Sequence, residues 1–213
     1  SIQTNRNLEI VQEQNLGCAP LPWAIPHPMA MVTNKKTNLF HSNVSHYELM
    51  RDLNRQWRQW TIDEPAVFVT FNGMAYDEEL VRRQFYWNLF ESYLTNTNGN
   101  GRLDILLMMN NIAAFSPDVL NIPLFNGGPG VSLKQADIAE ANGIEIGDAH
   151  DAIADCKLMI GLLEKINAKK PELIDFFLSI STKPGIQAAV QQPGFLGLGE
   201  VFRREIFKYP VVP

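Results

Sequence analysis

The sequence predicts an α/β domain in which helices flank a mixed β-sheet. Residues 66–71 form a continuous apolar, β-rich run after Pro65, which is typical of a strand buried on both faces of a largely parallel sheet. Residues 47–60 carry apolar side chains at spacings of three and four, which predicts an amphipathic helix. Strand-like segments are concentrated early in the chain and helix-like segments late, so we expect helices to cover the sheet.

The composition is that of an ordinary globular domain. The chain has 213 residues, of which 46% are hydrophobic and 19% charged, enough to bury a full core. It has no run of about 18 apolar residues and no signal-peptide pattern at its start, so the sequence supports neither membrane insertion nor secretion, and we expect a cytoplasmic location. The net charge of −5 argues against a protein that coats nucleic acid by bulk positive charge, but not against an enzyme that gathers carboxylates around cations. Cys18 and Cys156 are expected to be reduced thiols.

Local signals along the chain predict the remaining elements. Residues 8–11 suggest a short strand, and four prolines in residues 20–28 predict an extended surface segment. Asn142-Gly143 is a helix-ending signal, because glycine adopts the left-handed conformation without strain. Helices are predicted over residues 78–93, 103–114, 132–141, 149–169 and 171–180, and the sequence from residue 194 onward is irregular or strand-like.

Asp77 follows the predicted buried strand at the point where a helix begins. One interpretation is an N-cap, since aspartate is among the commonest residues to accept a hydrogen bond from a first helical turn. The other is a metal ligand, because open α/β sheets place their ligands at the carboxyl ends of the strands. Asn72-Gly73 fits a tight exit from the strand in either case.

A histidine and a carboxylate stand five residues apart at the start of the predicted long helix. They are His150 and Asp155 in Asp148-Ala149-His150-Asp151-Ala152-Ile153-Ala154-Asp155. Acidic residues in a first turn complement the helix dipole by about 0.3–1 kcal/mol per charge, which explains Asp148 and Asp151. Asp155 lies beside apolar positions, where a buried unpaired carboxylate is costly unless it binds a metal. The pattern therefore favours metal chemistry at Asp155 with His150 near it.

Several segments together carry a family resemblance. Asn72-x-x-x-Tyr76-Asp77 followed by His150-x-x-x-x-Asp155 resembles the second and third motifs of the DEDD superfamily of 3′–5′ exonucleases, in its histidine-containing branch. Residues 76–86, 102–106 and 133–152 look specifically like the bacterial exonuclease I family, and residues 171–176 look like the end of its nuclease domain. The resemblance implies a ribonuclease H-like exonuclease fold.

The resemblance also implies an activity and roles for three residues. It implies a processive 3′→5′ exonuclease that acts on single-stranded DNA with two divalent cations and releases nucleoside 5′-monophosphates. Asp77 and Asp155 would bind the metal, Mg²⁺ or Mn²⁺, and His150 would be the general base. This is coherent physically, because two cations about 3.5–4 Å apart stabilise the attacking and leaving oxygens, and histidine has a pKa suited to taking a proton near neutrality. No residue is assigned to substrate binding, and a monomer is expected.

The family's first motif is missing from the chain. That motif is Asp-x-Glu on the opening strand, and it does not occur in residues 1–62. Asp77-Glu78-Glu79 has the right spacing, but Asp77 already fills the second motif and the segment lies at a helix start, where residues two apart diverge. We therefore expect the first strand of the fold to be absent, residues 1–182 to form an exonuclease domain that begins internally, and residues 183–213 to start a following segment. The isolated chain is expected to bind metal weakly and to cut slowly or not at all.

Two other functions remain open from the sequence. If the first motif was lost during evolution, the chain would be a non-catalytic nucleic-acid-binding or scaffold module. An RNA-directed exonuclease of the same superfamily would use the same metal chemistry. The coding sequence before Ser1 separates the enzyme from the module, and digestion of matched DNA and RNA separates the two enzymes.

Overall fold

A computed structural model of the chain describes residues 1–34, 40–126, 128–145 and 152–212. Besides a 3₁₀ turn at residues 40–41, the chain forms in these ranges eight α-helices, six strands and one short 3₁₀ helix. In chain order they are β1 (Ile2–Thr4), β2 (Ile10–Glu13), α1 (Pro28–Asn34), α2 (His46–Trp60), β3 (Val67–Thr70), α3 (Asp77–Trp87), the 3₁₀ helix (Leu94–Asn96), β4 (Gly101–Asp104), α4 (Ile105–Phe115), α5 (Gln135–Ala141), α6 (Ala152–Lys169), α7 (Pro171–Ser179), α8 (Lys183–Val190), β5 (Leu196–Phe202) and β6 (Glu205–Val211).

The described strands pair two by two. β1 and β2 are antiparallel, β3 and β4 are parallel, and β5 and β6 form an antiparallel hairpin. The parallel pair is in register from Val67 opposite Gly101 to Thr70 opposite Asp104, so both strands end at the same level. α3 lies between them in the chain, as the crossover that a parallel pair requires. β3 is half-buried along its whole length, so the expectation of a strand buried on both faces is wrong.

The sequence does not predict strand β4. Residues 103–114 were predicted as a helix, but Gly101–Asp104 is strand β4 and the helix begins only at Ile105. The eleven residues of α4 are mostly apolar and conceal the four-residue strand before them. Buried Asn100 sets the strand register: its Oδ1 accepts from the Ala66 N–H at 2.9 Å, and its Nδ2 donates to the Leu94 carbonyl at 2.8 Å.

Other predicted elements are confirmed with changed ends. α2 begins after a capping box, in which the Ser45 hydroxyl accepts from the Glu48 N–H and the Glu48 carboxylate accepts from the Ser45 N–H. The helix predicted over residues 78–93 ends at Trp87, where the Asn88 side chain donates to a helical carbonyl. α5 is followed by Gly143 at φ 66°, the left-handed residue that the sequence predicts there.

The main core lies between the β3–β4 pair and helices α4, α6 and α7. Its fully buried members are apolar side chains that the helical spacing of these segments brings to one side. They include Ile105, Met108, Met109, Ile112, Leu162 and Ile166. A smaller cluster of Met50, Phe85 and Leu94 joins α2 to α3, and Trp57 packs against Phe68 and Phe85 with ring centroids 5.2 and 5.9 Å apart.

The β5–β6 hairpin packs against α4. The side-chain oxygens of Asn111 and Asn110 accept from the Gly199 and Val201 N–H groups, both at 2.9 Å. A Cβ at Gly197 would lie 2.9 Å from the Phe115 ring, so glycine permits the close approach. Within the described ranges, no helix is long and apolar enough to cross a membrane.

Candidate active site

A tight turn after β3 carries the chain into Asp77. Asn72 is left-handed at φ 60°, and the Gly73 carbonyl accepts from the N–H groups of Tyr76 at 3.1 Å and Glu78 at 2.9 Å. Gly73 is buried, and a Cβ there would lie 2.3 Å from the Thr70 Cβ, so no larger residue fits without movement. α3 therefore starts directly above the end of β3.

Asp77 does not cap this helix. Tyr76 is the N-cap and makes no side-chain capping bond, while Asp77 is the first residue of α3 and its side chain is exposed. The capping interpretation of Asp77 is therefore wrong. Its carboxylate instead stands where the sequence placed a metal ligand, at the carboxyl end of a parallel strand.

Asp104, which sequence reasoning missed, lies beneath this turn. It ends β4 and is only 4% exposed. Its Oδ1 accepts from the N–H groups of Asn72 at 2.7 Å and Leu106 at 3.0 Å, and its Oδ2 accepts from the Met74 N–H at 3.1 Å. Burial is the main cause that raises the pKa of the Asp77 carboxyl; the negative charge of Asp104 raises it further, and a hydrogen bond from the Asp77 backbone partly opposes both.

A second missed group holds the first turn of α3. The Glu78 carboxylate forms an ion pair with the Arg102 guanidinium, whose Nε lies 2.8 Å away, and the two side chains are 9% and 20% exposed. The other carboxylate oxygen of Glu78 is buried and has no hydrogen-bond partner among the described residues. Burial raises the pKa of Glu78 and the Arg102 charge opposes this, with Asp104 and Asp77 adding smaller upward contributions. No local signal in the sequence points to these groups, because the apolar residues of α4 conceal the strand at residues 101–104 that places them beside the end of β3.

The other half of the predicted site is described only in part. Asp155 lies in the first turn of α6, its backbone carbonyl accepts from the Gln135 side chain at 2.7 Å, and the neighbouring Lys157 forms a 2.8 Å ion pair with Glu13 on β2. The Asp155 side chain is exposed, so the expectation of a buried carboxylate is wrong. His150 lies outside the described residues, as do Asp148 and Asp151.

The described residues supply suitable donors for a hard cation. Asp77 and Asp155 offer exposed carboxylate oxygens, the ligand type that Mg²⁺ and Mn²⁺ prefer. The raised pKa of Asp77 reflects an unfavourable environment for its negative charge, which a bound cation would relieve. In the part of the chain that the structure describes, Asp77 has Glu78 and Asp104 as acidic neighbours, and no three metal-type side chains are grouped closely enough to hold an ion.

Comparisons with known proteins bear directly on this arrangement. Exodeoxyribonuclease I of Buchnera aphidicola subsp. Baizongia pistaciae is 29% identical over 191 residues, which cover 87% of this chain and 38% of the relative. The Escherichia coli enzyme of the same name is 30% identical over 125 residues, covering 58% of this chain and 26% of the relative. The crystal structure of E. coli exonuclease I in complex with a dA16 oligonucleotide superposes with a TM-score of 0.82 at 22% identity over 99% of this chain.

The chain has the exonuclease I fold. The resemblance to bacterial exonuclease I that the motifs predict is confirmed, and so is the predicted α/β exonuclease fold. Exonuclease I from Methylocaldum szegediense has the same fold, with a TM-score of 0.81 at 24% identity. No family model matches the sequence.

The match to exonuclease I has a defined extent. The chain spans less than half of the relatives it matches, namely 38% of the Buchnera protein and 46% of the E. coli exonuclease I chain. A zinc-bound form of the E. coli exonuclease I–single-stranded DNA complex is also similar, with a TM-score of 0.79.

Proposed function

We propose that the protein containing this chain is a metal-dependent 3′→5′ exonuclease that degrades single-stranded DNA and releases nucleoside 5′-monophosphates. The observation that carries the proposal is the position of Asp77. Its exposed carboxylate stands at the carboxyl end of a parallel strand pair, in a segment that resembles exonuclease I, and its pKa is raised, chiefly by partial burial and further by the negative charge of Asp104.

Three residues have separate roles in this proposal. Asp77 and Asp155 hold divalent cations, and His150 takes the proton from the water that attacks the terminal phosphodiester. Asp77 follows the turn after β3, and Asp155 lies in the first turn of α6. A histidine is suited to this task because its pKa lies near neutrality.

We propose two cations, Mg²⁺ or Mn²⁺, because the donors are carboxylate oxygens. When bound, a metal pair stabilises charge on both the attacking and the leaving oxygen. Asp77 and Asp155 supply two carboxylates toward this pair, and the family's Asp-x-Glu motif would supply others. We propose that a protein with that motif upstream of this chain is active and that the isolated chain is weak or inactive.

The test is digestion of a 5′-labelled single-stranded oligodeoxynucleotide by the complete gene product with Mg²⁺ or Mn²⁺. A ladder that shortens from the 3′ end, with nucleoside 5′-monophosphates as product, is expected. Binding without cleavage in either metal would instead support the non-catalytic module. A matched oligoribonucleotide in parallel decides between DNA and RNA, with faster digestion of DNA expected.

We propose further that the protein is cytoplasmic and monomeric, and that residues 1–182 form the exonuclease domain while residues 183–213 start a following segment. The hairpin in the second segment packs on α4 of the first through Asn110 and Asn111. Removal of residues 183–213 is expected to leave residues 1–182 folded but less stable, because hairpin contacts are lost. Circular dichroism and thermal unfolding of the shortened chain measure both outcomes.

A further inference from the structure

β4 presents two charged side chains on one face. Arg102 and Asp104 are two residues apart, so they point to the same side of the strand, while Leu103 points to the other side and enters the main core. Both charged groups bond to the segment that carries Asp77. β4 therefore pairs with β3 and also holds the segment that carries Asp77.

Asp104 anchors the turn before Asp77. A buried carboxylate is costly unless it is fully hydrogen-bonded, and Asp104 meets this requirement with N–H groups from Asn72, Met74 and Leu106. Two of these donors lie in the turn after β3 and the third starts α4. One carboxylate thus ties the end of β3, the turn and the start of α4 together.

Arg102 anchors the residue after Asp77. It forms an ion pair with the Glu78 carboxylate, 2.8 Å from Nε, while Nε and Nη2 donate to the Thr95 hydroxyl at 2.8 and 2.7 Å. The guanidinium is held from two sides and fixes the first turn of α3 against β4. The chain is therefore fastened on both sides of Asp77, whose own side chain is left exposed.

We propose that Asp104 and Arg102 are positioning residues, which hold the Asp77 carboxylate in the place from which it binds metal. This inference rests on the proposed function of Asp77. Misplacing a reacting group by about 1 Å can cost on the order of 100-fold in rate, so two anchors on one rigid strand have a clear effect. Groups that orient metal ligands are typically worth about 10–100-fold in affinity or activity.

The first test is Asp104→Asn in the complete gene product. The amide keeps the shape of the side chain but replaces one acceptor oxygen by an NH₂ that faces backbone N–H groups. We expect Mn²⁺ affinity, followed by electron paramagnetic resonance, to fall about 10–100-fold. The kcat should fall by a similar factor. The KM for the oligonucleotide should stay within about twofold of the wild-type value, because binding of the DNA is unchanged.

Glu79→Gln is the matched control. Glu79 is the next acidic residue on α3, and its carboxylate bonds to Arg82 and Arg83 on the same helix. Because those contacts do not reach β4, metal affinity and kcat should both stay at the wild-type level. An equal loss in this control and in Asp104→Asn would overturn the positioning role.

Arg102 offers a second pair of variants in case Asp104→Asn does not fold. Arg102→Lys keeps a cation opposite Glu78, whereas Arg102→Met leaves that buried carboxylate without one. We expect Lys to retain more Mn²⁺ affinity than Met at equal helix content by circular dichroism. Equal Mn²⁺ affinity and kcat in wild type and both variants would show that Arg102 has no positioning role.

Hydrogen exchange separates this inference from the proposed function. In the wild type the Asn72 and Met74 amides should be protected, and Asp104→Asn should release them while the core of α4 stays protected. A wild type that neither binds Mn²⁺ nor cleaves DNA refutes the proposed function and, with it, the metal-positioning role, while the exchange data still report the anchoring. A wild type that does both, with Asp104→Asn unchanged in affinity, kcat and exchange, refutes the positioning role alone.

Discussion

The starts of α3 and α6 carry the two predicted metal carboxylates, but they are held differently. At α3, the buried side chain of Asp104 and the half-buried side chain of Arg102 fasten the chain before and after Asp77. At α6, Asp155 is steadied by a bond from Gln135 to its own backbone carbonyl and by the Lys157–Glu13 ion pair two residues on. Both carboxylates are exposed. One site rests on a buried polar network and the other on surface contacts, so the two should respond differently to mutation.

Removing either carboxylate should have the largest effect. Asp77→Ala and Asp155→Ala are each expected to reduce kcat of the complete gene product by about 10⁴-fold or more, because each removes a proposed metal ligand. Single-turnover digestion of labelled single-stranded DNA measures this. Substantial activity in the Asp155→Ala variant would contradict the role of Asp155 as a metal ligand and would leave Asp77 as the essential carboxylate of the two.

His150→Ala should cost less than loss of a ligand. Removal of a general base typically costs about 10²–10⁴-fold, so slow cleavage should survive while Mn²⁺ binding is retained. Folding should be intact by circular dichroism. Loss of Mn²⁺ binding in this variant would show that His150 is a metal ligand and not the general base.

Gly73→Ala tests how closely the turn below Asp77 is packed. The added methyl would lie 2.3 Å from the Thr70 Cβ, so we expect unfolding free energy to fall by about 1–3 kcal/mol. Gly128→Ala is the control, since a Cβ there meets nothing within 4 Å and its effect should lie within about 0.5 kcal/mol. Urea unfolding measures the unfolding free energy of both variants. Equal values would mean that the turn shifts to accommodate the added methyl group without loss of stability.

The smallest expected effect is the change in the pH dependence of stability of the metal-free protein. The folded state raises the pKa of Asp77, chiefly by burial, so ionisation of Asp77 costs stability as pH rises from the unfolded value of about 3.9 through the folded one. Asp77→Asn should therefore raise Tm by about 1–3 °C at pH 7 in the presence of a chelator, with no gain below pH 3.5. The exposed Asp175 on α7 provides Asp175→Asn as a control for removal of any negative charge. A gain as large in this control would assign the effect to net charge.

Local patterns made much of the fold predictable. The apolar spacing of α2, the apolar run of β3 and Asn142-Gly143 after α5 all act within a few residues, and each structure is observed. Asp77 was placed correctly after its strand for the same reason. The motifs also identified the fold, although they said nothing of the network under Asp77.

The network escaped prediction because its partners are distant in the chain. Asp104 bonds to Asn72 and Met74 across about 30 residues, through a parallel register that no local signal sets. The exposure of Asp155 was missed for another reason. It lies seven residues before the fully buried Leu162, on the same helical face, and burial changes along a helix as well as around it.

α4 connects Asp104, which holds the turn before Asp77, to the β5–β6 hairpin. Its eleven residues form a rod about 16 Å long, with Asp104 bonded to its first turn and the β5–β6 hairpin bonded to Asn110 and Asn111 in its middle. The carboxylate that holds the Asp77 turn and the hairpin therefore contact one continuous helix, with no loop between them.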